Sequence, residues 1–295
     1  MQYILILLYI FFLCSQEFIK KDYLSRHAVS NSALYNFFMV LGAIPIYIVV
    51  AGGKLQFHLP TFWFSCLFAL CYALALIFTM KALTEGSVAL TSILLAFNFV
   101  LPISVGLFVF DEPLTTFGKI GLLMLVISVV LIGLPDKKDS EEGGQTKTKV
   151  SLKWMIYVLI ALIGNGCAVI VVKFHREIYP DAYSSELMIF AMILVLGVCF
   201  LQMLNKKRKD GTKMTTLFVP TLWYGVVTGL CNGVTNYLNI KLVETMDLTQ
   251  FTLLSKCGSF VFIYIVSRLF FREIMSKKQT LGFLFGIFAI LLSSI

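Results

Sequence analysis

Ten stretches of this chain are almost wholly apolar, and each is long enough to cross a lipid bilayer. They run over residues 2–19, 32–51, 60–80, 88–110, 115–134, 152–172, 184–204, 217–239, 248–268 and 277–295. A spanning helix needs about 20 apolar residues. Alternating strand patterns are absent, so the expected fold is an all-α membrane bundle rather than a β-barrel. Only 14% of the 295 residues are charged and 59% are hydrophobic, with mean hydropathy +0.89. Soluble domains carry about 25% charge, so a soluble surface could not be coated.

The net charge of +8 does not point to nucleic acid. The basic residues sit in short clusters between apolar runs, the pattern that records membrane orientation. The seven cysteines lie inside apolar runs with no C-x-x-C pair, as buried thiols do. His27, His58 and His175 fall in predicted loops or at segment ends, without ligand spacing. No metal and no cofactor is expected. Residues 1–13 are apolar but lack a basic lead and a small-x-small cleavage site, so they read as a first span rather than a signal peptide.

The longest polar interruption is "PDKKDSEEGGQTKTKVS", residues 135–151. It reads as a linker between two five-helix halves, 1–134 and 152–295. The halves are alike. "CYALALIFTMKAL" (71–83) aligns with "CNGVTNYLNIKLV" (231–243), and "VFDEPLTTFGKIGLL" (109–123) aligns with "FFREIMSKKQTLGFL" (270–284). Cys71, Lys81, Glu112 and Gly121 fall on Cys231, Lys241, Glu273 and Gly282. Five is odd, so the second half enters the membrane inverted. Such repeats place a substrate site near the midplane.

Alternate connections hold 18 and 5 of the Lys and Arg residues, Lys256 being the remaining one of 24. The positive-inside rule puts the richer set in the cytoplasm and both termini outside, in a multi-pass protein of the cell membrane.

The stretch "MKALTEGSVALTSILLAFNFVLPISVGLFVFDEPLTTFGKIGLLMLVISVVLIG" (80–133) resembles the hallmark region of EamA-type carriers in the drug/metabolite transporter superfamily. Its parts are Gly86, Pro102, Glu112 and Gly121. The second half repeats the pattern with Glu273 and Gly282, but has Ile263 opposite Pro102 and Ile274 opposite Pro113. The resemblance implies a secondary carrier working by alternating access, with export the commoner direction. It does not name the cargo.

Lys256 is the candidate that the residues single out. It stands nine residues after Asp247 and twelve before Arg268, roughly 13–18 Å from either end of its helix. An unpaired charge at that depth costs about 3 kcal/mol on insertion scales. It therefore calls for a carboxylate partner, a wet cavity or an anionic substrate. Glu17 and Glu186 are candidate partners; the alternative role is a structural ion pair. Segment 8 carries Gly225, Gly229 and Gly233 on one face, a close-packing ridge. Asn232, Asn236 and Asn239 form a stripe beside it, suited to a cavity lining or to interhelical hydrogen bonds, with Tyr237 near one mouth. Asn98, Asn165, Gln250 and Tyr72 are further polar positions. Asn165 lies in "GNG", which reads as a loosened helix or a packing kink. Pro102 should bend segment 4, and Pro102, Gly229 and Gly233 are candidate hinges. Glu112 and Glu273 read as caps or loop ion pairs.

The expected function is a carrier for an amino acid or other carboxylate, with Lys256 on the acid group. The partners are a small-molecule substrate, the lipid bilayer and a coupling ion or proton, without nucleic acid. An exporter of lipophilic compounds is the alternative. An enzyme is disfavoured, because the residues show no nucleophile–base pair, metal cluster or paired deep carboxylates.

Overall fold

In hydrocarbon each unsatisfied backbone N–H or C=O costs several kcal/mol, so an apolar run must close its hydrogen bonds within itself. The computed structural model describes residues 2–26, 32–52, 55–85, 91, 94–95, 97–112, 114–133, 152–180, 182–210, 218–270 and 277–293. The linker 135–151, Gly86 and Glu273 lie outside them. Among the described residues the chain forms ten α-helices: α1 Gln2–Arg26, α2 Ser32–Ala51, α3 Leu59–Glu85, α4 Val100–Phe108, α5 Thr116–Gly133, α6 Leu152–Ile178, α7 Ser184–Asp210, α8 Phe218–Thr245, α9 Leu248–Phe270 and α10 Lys277–Ser293. The described residues contain no strand. Five of the helices are long and apolar enough to cross a membrane: α1, α2, α3, α6 and α7.

The polarity is inverted relative to a soluble protein. Phe108, Val49, Trp63 and Trp223 are exposed, while Thr61, Ser65, Thr91 and His175 are fully buried. Apolar surface facing outward with polar groups paired inside suits a lipid solvent.

The helices group into two compact units, Met1–Leu76 with Cys167–Thr245, and Ile77–Gly166 with Met246–Ile295. In unit 1, α8 packs on α2 and α1, and α2 packs on α7. The α2–α8 contact depends on missing side chains. A Cβ at Gly42 would stand 2.6 Å from the Val226 carbonyl oxygen, one at Gly229 would overlap the Met39 carbonyl oxygen, and one at Gly233 would stand 2.9 Å from that of Ala43. The ridge read from segment 8 is this packing surface.

Two sets of contacts in unit 1 match one another. Pro60 and Pro220 open α3 and α8 in the first turn, where a missing N–H is tolerated. The next residues, Thr61 and Thr221, are fully buried. Thr61 Oγ1 lies 3.0 Å from Nε2 of His175 at the end of α6, and Thr221 Oγ1 lies 3.2 Å from the hydroxyl of Tyr23 at the end of α1. Further along, Ser65 Oγ donates to the Leu187 carbonyl of α7 at 2.9 Å. Gly225 meets the Tyr35 carbonyl of α2 at its equivalent place. The α3 and α8 partners stand 160 residues apart, and their contacts on α1/α6 and α2/α7 stand 152 apart.

In unit 2, α10 packs along α5, and α9 packs on α10, α4 and α5. Phe99, Ile103, Leu125, Val129, Leu253, Cys257 and Ala289 form its core. Glu112 follows α4, after Asp111 in a left-handed backbone conformation (φ 48°). Its buried carboxylate accepts from the backbone N–H groups of Leu248 and Thr249 at 2.9 and 2.8 Å and from the Thr249 hydroxyl at 2.9 Å. It caps the N-terminus of α9 from outside the helix. Free N–H groups there attract an anion, so the capping role expected of Glu112 is the one it fills.

Pro102 lies in the first turn of α4, after a 3-10 turn at Phe97–Phe99, not in mid-helix as the bend expected of it required. α6 is unbroken through Gly164, Asn165 and Gly166, with Asn165 Nδ2 donating to the Ala161 carbonyl at 3.1 Å. That bond satisfies the amide inside its own helix, so no loosened segment forms.

Candidate functional site

Unit 1 gathers two further expected site residues, Tyr72 and Asn236, around Asn232. Its Oδ1 accepts from Asn236 Nδ2 at 3.0 Å and from the Tyr72 hydroxyl at 3.1 Å, while its Nδ2 donates to Gln16 Oε1 at 2.9 Å. Helical spacing brings Asn236 over Asn232; α3 and α1 supply the rest. Gln16 was not singled out from the sequence, although an amide within an apolar run was a signal available there. Asn239, third in the stripe, is buried, and its Oδ1 has no hydrogen-bond partner among the described residues.

The other expected residues lie elsewhere. Gly229 and Gly233 face α2. Lys256 is half-buried on α9, between buried Ser255 and Cys257, and Gln250 is half-buried a turn and a half before it. Asn98 is half-buried in the turn preceding α4. Of the two carboxylates proposed for Lys256, Glu17 stands 4.0 Å from Lys20, and Glu186 accepts from the Gln56 backbone N–H at 3.3 Å.

One end of unit 1 holds a cavity of about 360 Å³, lined by Tyr47, Tyr183, Glu186, Tyr237, Lys241 and Glu244 among others. That is the lower end of small-molecule sites. Glu244 on its wall is shared by two cations: Arg176, in a buried ion pair, and Lys241 at 3.0 Å. Arg176 also donates to Ser184 at 2.7 Å. Glu186 is 8% exposed and forms no ion pair among the described residues. Its place in the first turn of α7 recovers about 0.3–1 kcal/mol from the helix dipole. The effective penalty for burying an ion is several kcal/mol, so the dipole leaves most of it standing.

Tyr183 is held at φ 56°, an outlying conformation for a bulky residue. Its ring stacks on His58 at 4.3 Å. His58 Nδ1 lies 2.9 Å from Thr61 Oγ1, which also meets His175. His175 Nδ1 is buried and has no partner among the described residues. Among the described residues no three His, Cys, Asp or Glu side chains are placed to hold a metal ion. The seven cysteines are free thiols.

No curated relative matches the sequence. A solved crystal structure of a protein aligns with TM-score 0.75 at 12% identity, over 99% of this chain and 96% of that one; at that identity the likeness is one of fold. The model of the EamA-like transporter family matches residues 152–295, the half that carries α6 to α10. Residues 152–295 are thus similar to the EamA-like transporter family of the drug/metabolite transporter superfamily, whose members are membrane transporters.

Proposed function

We propose that the chain is a secondary active carrier that exports a small polar metabolite, an amino acid or other carboxylate, by alternating access. Its halves act as inverted repeats, the termini lie outside the cell membrane, and Lys256 contacts the substrate's acid group. The observation that carries the mechanism is the matched contact set in unit 1. The end of α6 meets the start of α3 as the end of α1 meets the start of α8. An inverted repeat requires that exchange, and it supplies the two equivalent arrangements that a rocking carrier needs. Lys256 is favoured as the substrate contact because its helix is buried on both sides of it. Its ammonium group is of the sign that a substrate carboxylate would meet.

A thermal-shift screen of amino and organic acids on the purified protein identifies a ligand, and uptake is then measured in proteoliposomes. Lys256→Met is expected to lower uptake at least tenfold with normal folded yield, and Lys256→Arg to retain part of it. Full uptake by Lys256→Met overturns the substrate contact. Reduced yield with unchanged affinity in the folded fraction assigns the lysine to structure instead.

A further inference from the structure

The cavity at the end of unit 1 is electrically two-ended. On one wall Lys241 pairs with Glu244, whose single carboxylate is also held by Arg176, a residue that does not itself line the cavity. On another, the buried carboxylate of Glu186 has only the long backbone contact from Gln56, and no cation among the described residues. Glu186 and Lys241 both line the cavity, yet they do not pair with each other. A carboxylate has about four acceptor sites and an ammonium three donors, so both keep unused capacity. The formal charge of the four groups is zero, but it is separated in space.

We infer that this cavity is a binding site for a small zwitterion, whose ammonium group meets Glu186 and whose acid group meets Lys241. Such a ligand completes both walls without adding net charge. A simple cation or anion completes one wall and leaves the other. Tyr47, Tyr183 and Tyr237 supply aromatic surface suited to the ammonium end. Tyr183 is held in its outlying backbone conformation at the α7 terminus, as residues at ligand sites often are.

Three of the four charges do not belong to the shared helical framework. The offsets that match the two contact sets place Leu24 opposite Arg176, Leu34 opposite Glu186 and Thr84 opposite Glu244, whereas Lys241 falls opposite Lys81. The framework thus carries the lysine at both places, and the arginine and the two carboxylates are added at one.

The inference draws on the carrier reading only for its substrate class, and binding is measured without transport. Purified protein in nanodiscs is titrated calorimetrically with straight-chain ω-amino acids from glycine to 6-aminohexanoate. Each is compared with the amine and the acid of equal length. At least one member is expected to bind tenfold or more tightly than both of its half-molecules. Glu186→Gln is expected to reduce that affinity at least tenfold, and Lys241→Met to do the same. Equal binding of zwitterion and half-molecules by the wild-type protein overturns the site, whether or not the variants fold. So does unchanged zwitterion affinity in folded Glu186→Gln. The same titration on Lys256→Met separates the two proposals: retained binding with lost uptake leaves this site standing, and lost binding with retained uptake sinks it alone.

Discussion

Arg176 forms a buried ion pair in unit 1, and it was not legible in the sequence. In the sequence it is one of five basic residues on the Lys-poor side, counted only for orientation. In the structure it is 7% exposed and paired with Glu244, which arrives from the far end of α8. Breaking a buried ion pair costs about 3–5 kcal/mol, because the remaining charge stays buried. Lys241 remains beside Glu244 and offsets part of that. Arg176→Met is therefore expected to destabilise the protein by about 3 kcal/mol, read as a lowered thermal midpoint in detergent. Glu244→Gln should cost a comparable amount, and the double variant less than the sum, since each change removes the other's penalty. Additive losses would show that the pair contributes no coupling. His175 follows the same logic. Its place at a segment end said nothing of depth, and it is fully buried against Thr61. Sequence distance from a helix end does not report depth when another helix end packs over it.

Local period made the elements readable, and distant contacts decided what they do. Gly225, Gly229 and Gly233 recur at helical spacing, so their shared face followed from the chain alone. That the face meets α2 at Gly42 did not. The Cβ overlap at Gly229 is with backbone, which cannot move aside as a side-chain tip can. Gly229→Val is expected to cost at least about 2 kcal/mol by overpacking. Gly197→Ala on α7, with nothing within 4 Å of the added carbon, should be neutral or slightly stabilising, since alanine favours helix. Thermal midpoints of the two variants make the comparison, and equal losses would contradict the packing account. The same limit explains Pro102. An apolar run continues across the start of α4, so the sequence hides the boundary that turns a mid-helix proline into a first-turn one. Asn232 and Asn236 were readable as a stripe; Gln16 and Tyr72, which complete their hydrogen bonds, come from α1 and α3.

At the scale of the molecule, sequence and space divide the chain differently. The polar linker separates residues 1–134 from 152–295 in sequence, but each compact unit takes helices from both sides of it. Unit 1 needs α1 and α2 from the first half to cover α7 and α8 from the second. Unit 2 needs α5 to cover α10, and Glu112 to cap α9. The second half, expressed alone, loses Gln16 and Tyr72 from Asn232, Tyr23 from Thr221 and Glu112 from the α9 terminus, and in lipid such groups have no water to fall back on. Hydropathy gave the ten helices found among the described residues, five of them long and apolar enough to span, because that signal is local, whereas the exchange of partners is a property of assembly. The chain cut within 135–151 and expressed as two pieces is therefore expected to give stable protein only when both pieces are present together. Co-purification of one tagged half with the other, with a thermal midpoint near that of the intact chain, is the expected result. A half that purifies alone as a monodisperse, protease-resistant species would mean that the helices supplied by the other half are not needed for folding.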